Sequence, residues 1–445
     1  MVAQMKRQGL GIIQALSQER LDPEQVYALQ TNKVRSMITH AWQSSPFYQA
    51  KMRTAGITPA DIRTMDDLRH FPITTKQELR TTPSDQLLAT GYTTTNTIHE
   101  PTSGSSGKVF HVYHSKAAFD TYFANAFRHL WSIGYRPWHR VAYTAFDPLI
   151  TLPWERFGLG VREQINLREP DAQSFLKRLL DINPQLITAY PSILLMIIRV
   201  ASDAQLRQIR PRAVHLHSEL LTEGIRDIIR LAFDCDCFDD YSTCEFHHVT
   251  HECRYHQYHI AADNVVVEVL NDGQPASVGQ NGEIVITGLT NYAQPIIRYA
   301  IGDVGALGTT ERCACGSGFP TMALIQGRVD DFVVLPSGRR ISPRIVNPAF
   351  EHLPGMLEHV LVQETLDTIK VYVNIMPGYA ESTMPMIRQN LHDLFREPVE
   401  LHIIPTTTFE RGRTGKLRCV ISKVHQASSH IDIVRSTPPV LTEAL

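Results

Sequence analysis

The spacing of apolar positions changes character twice along the chain. Up to about residue 95 it is helical with polar faces, over 23–44, 65–69 and 75–80, and Pro59, Pro72 and Pro83 punctuate the segments. From about residue 141, short apolar strands alternate with amphipathic helices. Strands are predicted at 140–144, 185–190 and 213–217, and helices at 171–182, 191–201 and 221–233. Such alternation with short connections predicts a layered α/β domain built on a mostly parallel sheet. After Tyr258 the pattern turns to β, at 261–270, 282–288 and 321–325, and Gly327-Arg328 closes it. Beyond lies a smaller α+β segment: strands at 360–364, 368–375 and 399–404, and a helix at 381–395. The predicted fold class is α/β, with a large N-terminal layered domain carrying an added β region (1–327) and a small C-terminal α+β domain (328–445). The residues past Val424 are polar and read as peripheral.

A chain of 445 residues exceeds what one hydrophobic core usually serves, in keeping with two domains. Lys+Arg (43) nearly balances Asp+Glu (45), so no basic footprint for nucleic acid and no acidic tail is expected. Polar residues interrupt the first twenty positions, which therefore lack the apolar core of a signal peptide. The most apolar stretch, 193–200, is too short to span a bilayer, so no membrane partner is expected. Seven scattered cysteines do not make a secreted disulfide framework, and a reducing cytoplasm is the expected compartment.

Residues 102–108, Thr-Ser-Gly-Ser-Ser-Gly-Lys, are the first candidate chemistry. Glycines let backbone N–H groups approach an anion, hydroxyls add donors, and Lys108 adds charge. The loop is not a Walker A motif, because two residues rather than four separate its glycines and Val109 follows the lysine. Taken alone it is as readily a flexible connector. Four further segments stand out. Ile296-Ile-Arg-Tyr-Ala-Ile-Gly-Asp303 places Asp303 to accept from a ribose diol, or Arg298 and Asp303 to pair structurally. Tyr241-Ser-Thr-Cys-Glu245 offers a ring, hydroxyls and a carboxylate suited to Mg2+, or simply a helix N-terminus. Gly327-Arg-Val-Asp-Asp331 ends the large domain, and Glu410 to Arg418 forms a basic turn.

In this order and spacing the five segments resemble the adenylate-forming enzymes, the superfamily of acyl-CoA synthetases, luciferase and peptide-synthetase adenylation domains. Within it the chain is similar to the phenylacetate–CoA ligase-like and capsule-biosynthesis branch, over about 95–425. The resemblance implies that Ser103, Gly104, Ser105, Ser106, Gly107 and Lys108 cradle the β- and γ-phosphates of ATP. Glu245 would hold Mg2+, Tyr241 would stack on adenine, Asp303 would hold the ribose hydroxyls, and Arg328 would support that end of the nucleotide. Asp330 would be the hinge of a mobile C-terminal lid. Lys416 would bridge the substrate carboxylate and the α-phosphate. One departure is visible: the family's Tyr-Gly-x-Thr-Glu is Tyr-Ser-Thr-Cys-Glu here. A thiol is a weaker donor than a hydroxyl, so any phosphate contact is expected from Ser242 or Thr243 rather than Cys244.

Cys253, His259, Cys313 and Cys315 would complete a tetrahedral set for a structural Zn2+, with His256 the rival fourth ligand. Some members of the branch carry a similar arrangement; free cysteines beside surface histidines are the plain alternative. Cys235 and Cys237 read as packing. For the acid pocket the candidates by position are Tyr143, Phe146, Tyr190, Pro191, His217, Phe246, His247 and His248. Their aromatic content suits an aromatic or heteroaromatic acid. The function expected is ATP-dependent conversion of a carboxylic acid to an acyl-adenylate, then transfer to coenzyme A. Alternative acceptors are an amine, a hydroxyl or a carrier-protein thiol. A zinc-stabilised nucleotide-binding relative without turnover is the alternative of another class, and the protein is expected as a monomer or homodimer.

Overall fold

The computed structural model describes residues 2–102, 110–145, 161–167, 171–328, 331–351, 353–411 and 416–424. Two compact units emerge. One takes in the described residues of Met1–Leu221, Ile225–Ile325 and Arg411–Lys416, the other those of Thr222–Gly224, Gln326–Glu410 and Leu417–Leu445.

Among the described residues the larger unit is organised by a 13-stranded sheet. Its parallel part runs Val161–Asn166, Arg140–Ala145, Leu186–Ala189, Ala213–His217 and Cys237–Thr243. The inner strands Leu186–Ala189 and Ala213–His217 are buried at every position, as parallel strands covered on both faces must be. Helices supply that cover. In Ala172–Ile182, Asp171 caps the start by accepting from Gln173 N and Ser174 N, and Asn183 ends it in the left-handed region. Phe175, Leu176, Leu179 and Ile182 form its buried stripe. They meet Ile187, Ile193, Leu194, Val214 and Leu216 in one core, where each large side chain contributes about 1.5–3 kcal/mol.

His247–Glu252 then pairs antiparallel to Cys237–Thr243, and the sheet continues through Tyr258–Ile260 and Thr321–Arg328. Beyond Thr321–Arg328 come Tyr299–Leu307, Gly282–Gly288 and Val265–Asn271. The strand expected from residue 261 begins at Val265, because Ala261–Asn264 close a turn through Asn264 N–H to Ala261 O (2.8 Å). At Gly282 any Cβ would lie 2.3 Å from the Leu270 carbonyl oxygen, so the close pairing of these strands requires glycine.

The helix Lys116–Ser132, capped by Ser115, carries an inward polar group. Arg128 is fully buried and donates to both carboxylate oxygens of Asp263 (2.7 and 3.0 Å), with Glu19 at 3.9 Å. Arg128→Ala strands the Asp263 carboxylate in the interior, and about 3–5 kcal/mol of stability is expected to be lost. A urea midpoint within error of the parent would contradict this reading.

The smaller unit is a four-stranded sheet ordered Glu400–Pro405, Thr368–Ile375, Met356–Gln363, Val420–Ser422. Ile387, Leu391 and Phe395 of the helix Ala380–Phe395 pack on Leu361, Ile369 and Val371. Among the described residues no helix is long and apolar enough to cross a membrane.

Candidate functional site

Two strands of the larger unit bring the expected nucleotide residues together. Cys237–Thr243 is buried up to Asp240 and partly exposed from Tyr241, where it reaches the carboxyl end of the parallel strands. In open α/β sheets, ligands bind at that end. Tyr241 donates its hydroxyl to Asp303 Oδ2 at 2.5 Å. Asp303 lies on Tyr299–Leu307 directly after Gly302, whose φ of +85° is one that glycine takes without strain. Glu245 occupies the turn after Tyr241, is 6% exposed, and accepts from Tyr299 Oη at 3.3 Å. Burial pushes the Glu245 carboxyl above its ordinary range, against the pull of a backbone hydrogen bond and of Lys76. A small cavity beside it is lined in part by Tyr122, Phe246, Asn264 and Gln294. Arg298 does not pair with Asp303. It binds Glu268 (3.0 and 2.9 Å) and donates to the carbonyls of Arg69 and Phe71, so it braces the strand.

The acid-pocket candidates divide into two neighbourhoods by their contacts. The ring of His217 stacks on Tyr143 (5.8 Å between centroids) and meets Tyr190 edge-on (5.1 Å). Burial first, then neighbouring groups that include Lys416, hold the His217 imidazole down at about 3. Lys416 groups with the larger unit, within electrostatic reach of these rings. Phe246 is buried against Tyr299, and His247 stacks on Tyr122 (4.3 Å) with Nε2 3.0 Å from Glu100 Oε2.

Ser103, Gly104, Ser105, Ser106, Gly107 and Lys108, together with Phe146 and Asp330, lie outside the described residues, as does the chain past Val424. The residues that bracket the loop are tied together: Thr102 N donates to Phe110 O (2.8 Å) and Phe110 N to Thr102 Oγ1 (3.2 Å). Arg328 ends the strand Thr321–Arg328, and in the smaller unit Arg418 pairs with Asp331. Tyr299 was not among the expected site residues, though its place in Arg-Tyr-Ala-Ile-Gly-Asp beside Asp303 was a usable signal.

Cys253, His259, Cys313 and Cys315 converge, with one ligand atom from each lying within 4.8 Å of the others. Cys253 Sγ is 4.0 Å from Cys313 Sγ, and Cys315 Sγ is 3.3 Å from His259 Nε2. Tetrahedral zinc at ordinary bond lengths needs donor separations of about 3.3–3.8 Å. The surroundings suit a cation. Backbone N–H groups of Tyr255, Cys315 and Ser317 point at the three sulfurs. His259 Nδ1 faces the Phe319 carbonyl (3.2 Å), which fixes the tautomer that leaves Nε2 as acceptor. A hydrogen bond from Cys315 lowers the Cys253 thiol. His256 is engaged elsewhere, with Glu252 (2.9 Å) and Asp236 (3.3 Å). Cys237 is buried in the α/β core.

No family model matches the chain. It is 24% identical over 441 residues to the phenylacetate–coenzyme A ligase of Thermus thermophilus, covering 91% of this chain and 98% of that one. It is 28% identical over 408 residues to the Escherichia coli enzyme of the same name, covering 85% and 90%. Among solved structures, 2-hydroxyisobutyryl-CoA ligase in the postadenylation state superposes with a TM-score of 0.77 at 18% identity, covering 91% of each chain. An anthranilate CoA ligase superposes at 0.53 and 17%, covering 72% of this chain and 65% of that one. Over about nine-tenths of its length this chain is similar to phenylacetate–coenzyme A ligases, it shares the fold of a solved acyl-CoA ligase, and Tyr241, Glu245 and Asp303 converge at the carboxyl end of its parallel strands.

Proposed function

We propose that the protein activates a carboxylic acid with ATP and passes the acyl group to coenzyme A. The observation that carries this reading is the meeting of Tyr241, Asp303 and Glu245 at the carboxyl end of the parallel strands in a chain similar throughout to CoA ligases. Asp303 accepts the ribose hydroxyls, and Tyr241, held against it, presents its ring to adenine. Glu245 fits a Mg2+ site, because a buried carboxylate whose hydrogen-bond donors are neutral is stabilised by a cation. Bound there, Mg2+ supplies charge neutralisation to the phosphate oxygens. The 103–108 loop cradles the β- and γ-phosphates, and Arg328 supports the ribose end.

A carboxylate oxygen of the substrate attacks the α-phosphorus, the bond to the bridging oxygen breaks, and pyrophosphate leaves. Lys416 sits between the two anions and offsets the charge that builds there. The thiolate of coenzyme A then attacks the acyl carbon, and AMP leaves with the electron pair. Tyr143, Tyr190 and His217 offer an aromatic or heteroaromatic acid a stacking surface, with Phe246 and His247 as the remaining pocket candidates. Asp330 serves as the hinge of the smaller domain. The Cys253–His259–Cys313–Cys315 set holds a structural Zn2+, since four protein donors close the coordination sphere and leave no open position.

Pyrophosphate–ATP exchange across a panel of aryl, heteroaryl and aliphatic acids tests the first step. Exchange is expected only when acid is present and greatest with an aromatic acid. Acid-independent phosphate release would instead indicate a nucleotidase. With the best acid, AMP release should require coenzyme A as acceptor rather than an amine, a hydroxyl or a carrier protein.

A further inference from the structure

A second group of potential ligands lies in the larger unit, made without sulfur. His129 comes from the helix Lys116–Ser132, His215 from the strand Ala213–His217, Asp240 from Cys237–Thr243 and His248 from His247–Glu252. One ligand atom each from His129, Asp240 and His248 lie within 4.8 Å of one another. His248 Nδ1 is 3.1 Å from Asp240 Oδ2, and His215 Nε2 is 4.0 Å from the same oxygen. The rings of His129 and His215 meet edge-on at 4.8 Å.

These groups are in the interior. His129 is 1% exposed, Asp240 4% and His215 6%. Among the described residues, neither ring nitrogen of His129 and neither of His215 has a hydrogen-bond partner. Leaving four such atoms unpaired is costly, because each buried polar atom without a partner forfeits its hydration. Protonation does not resolve this. Burial first, then neighbouring imidazoles, disfavours the charged forms of His129 and His215 despite the pull of Asp240. Neutral imidazoles retain their lone pairs, and a divalent cation would use them while Asp240 supplies the balancing charge.

We propose that His129, His215, Asp240 and His248 form a second Zn2+ site, independent of the cysteine-containing cluster. Three imidazoles and a carboxylate match the preference of zinc for nitrogen with one hard oxygen, and imidazole-rich sets are poor hosts for Mg2+. Bonds of about 2.0–2.2 Å place neighbouring donors about 3.3 Å apart. The His248–Asp240 separation already fits, and the His215 contact closes by less than an ångström. His251, the next imidazole along (5.1 Å from His129), is spent on Glu19 at 3.1 Å and stays outside the set. Four donors from one helix and three strands would tie the helix Lys116–Ser132 to the sheet, beside His217, whose ring stacks on His215 (5.4 Å).

Metal analysis of the full-length chain after equilibration with Zn2+ and removal of free ion tests the proposal. Two zinc ions per chain are expected, falling to one in His129→Ala, in His248→Gln and in Cys313→Ser. Replacement of Zn2+ by Co2+ tells the two sites apart. Thiolate-to-cobalt charge transfer belongs to the cysteine set and should survive His129→Ala and His248→Gln. The additional d–d absorption of a site without sulfur should vanish in both. His248, being partly exposed, serves if His129→Ala does not fold. One zinc per chain in the parent protein, with a Co2+ spectrum that the histidine substitutions leave unchanged, overturns the assignment.

Discussion

Lys416→Ala is expected to lower acid-dependent pyrophosphate exchange by about 10²–10³-fold while ATP affinity stays within a few-fold of the parent. That range is what removal of one positioned donor from a developing anion typically costs in other enzymes. The reasoning is electrostatic. Adenylation forces a carboxylate against a phosphate that is already anionic, and negative charge grows further as pyrophosphate departs. A cation placed between them acts on the transition state more than on either bound reactant, so the loss should fall on kcat and leave KM nearly unchanged. Lys416 groups with the larger unit, and its charge reaches His217, whose ring contacts Tyr143 and Tyr190. The side chain is therefore within electrostatic reach of the residues proposed to hold the acid. Ligand binding elsewhere should not depend on it, because the phosphates and ribose are assigned to the 103–108 loop and Asp303. Thioester formation from a pre-formed acyl-adenylate should also be spared, since the thiolate attacks the acyl carbon in that step and no bond to the α-phosphorus forms or breaks. Equal loss in both half-reactions would point to a structural role for Lys416, and full exchange activity would remove it from the mechanism.

How far the fold was legible depended on what each segment buries. Gly282–Gly288 and Thr368–Ile375 were readable because apolar side chains fill most of their buried positions, and Ala213–His217 because Ala213, Val214 and Leu216 do so in part. The helix Lys116–Ser132 was not. Its buried positions include Asn125, Arg128 and His129, so no apolar stripe marks it, and what holds it in place are ion pairs to residues more than a hundred positions distant. The same property hid the imidazole cluster: His215 alternates with apolar residues in a strand that reads as ordinary core, and Asp240 and His129 join it only after folding. Arg298 shows the limit of motif reading. It stands five positions from Asp303, yet its partner is Glu268, supplied by a neighbouring β region. The Cys253–His259–Cys313–Cys315 set could be suggested in advance because thiols and imidazoles at these spacings are scarce. The choice of His259 over His256 needed geometry, since only the folded chain shows His259 Nε2 facing Cys315 Sγ and His256 engaged with Glu252 and Asp236.

Cys313→Ser should release one zinc ion per chain and lower the unfolding midpoint markedly, because a metal bound only by the folded chain adds its binding free energy to folding. Tyr258–Ile260 pairs antiparallel with Thr321–Arg328, with His259 opposite Thr321, so the segments carrying the four ligands flank two adjacent strands. An ion bound across them closes a contact between parts of the chain some sixty residues apart, as the Cys253–Cys313 approach shows. The unfolded chain offers no such site. At free zinc about 1,000 times its dissociation constant, the folded state gains about 4 kcal/mol over the metal-free protein. Serine keeps the size of the side chain and loses the soft thiolate, so the substitution isolates ligation from packing. A chelator should move the parent protein toward the midpoint of the variant. It should do so less in Cys313→Ser, where the sulfur-containing site is already broken. Adding zinc back should restore the parent and leave the variant short of its metal. Were Cys313→Ser to keep the full zinc count and the parental midpoint, the three thiols and His259 would be neighbours brought together by the strand pairing alone, and their convergence would need another cause.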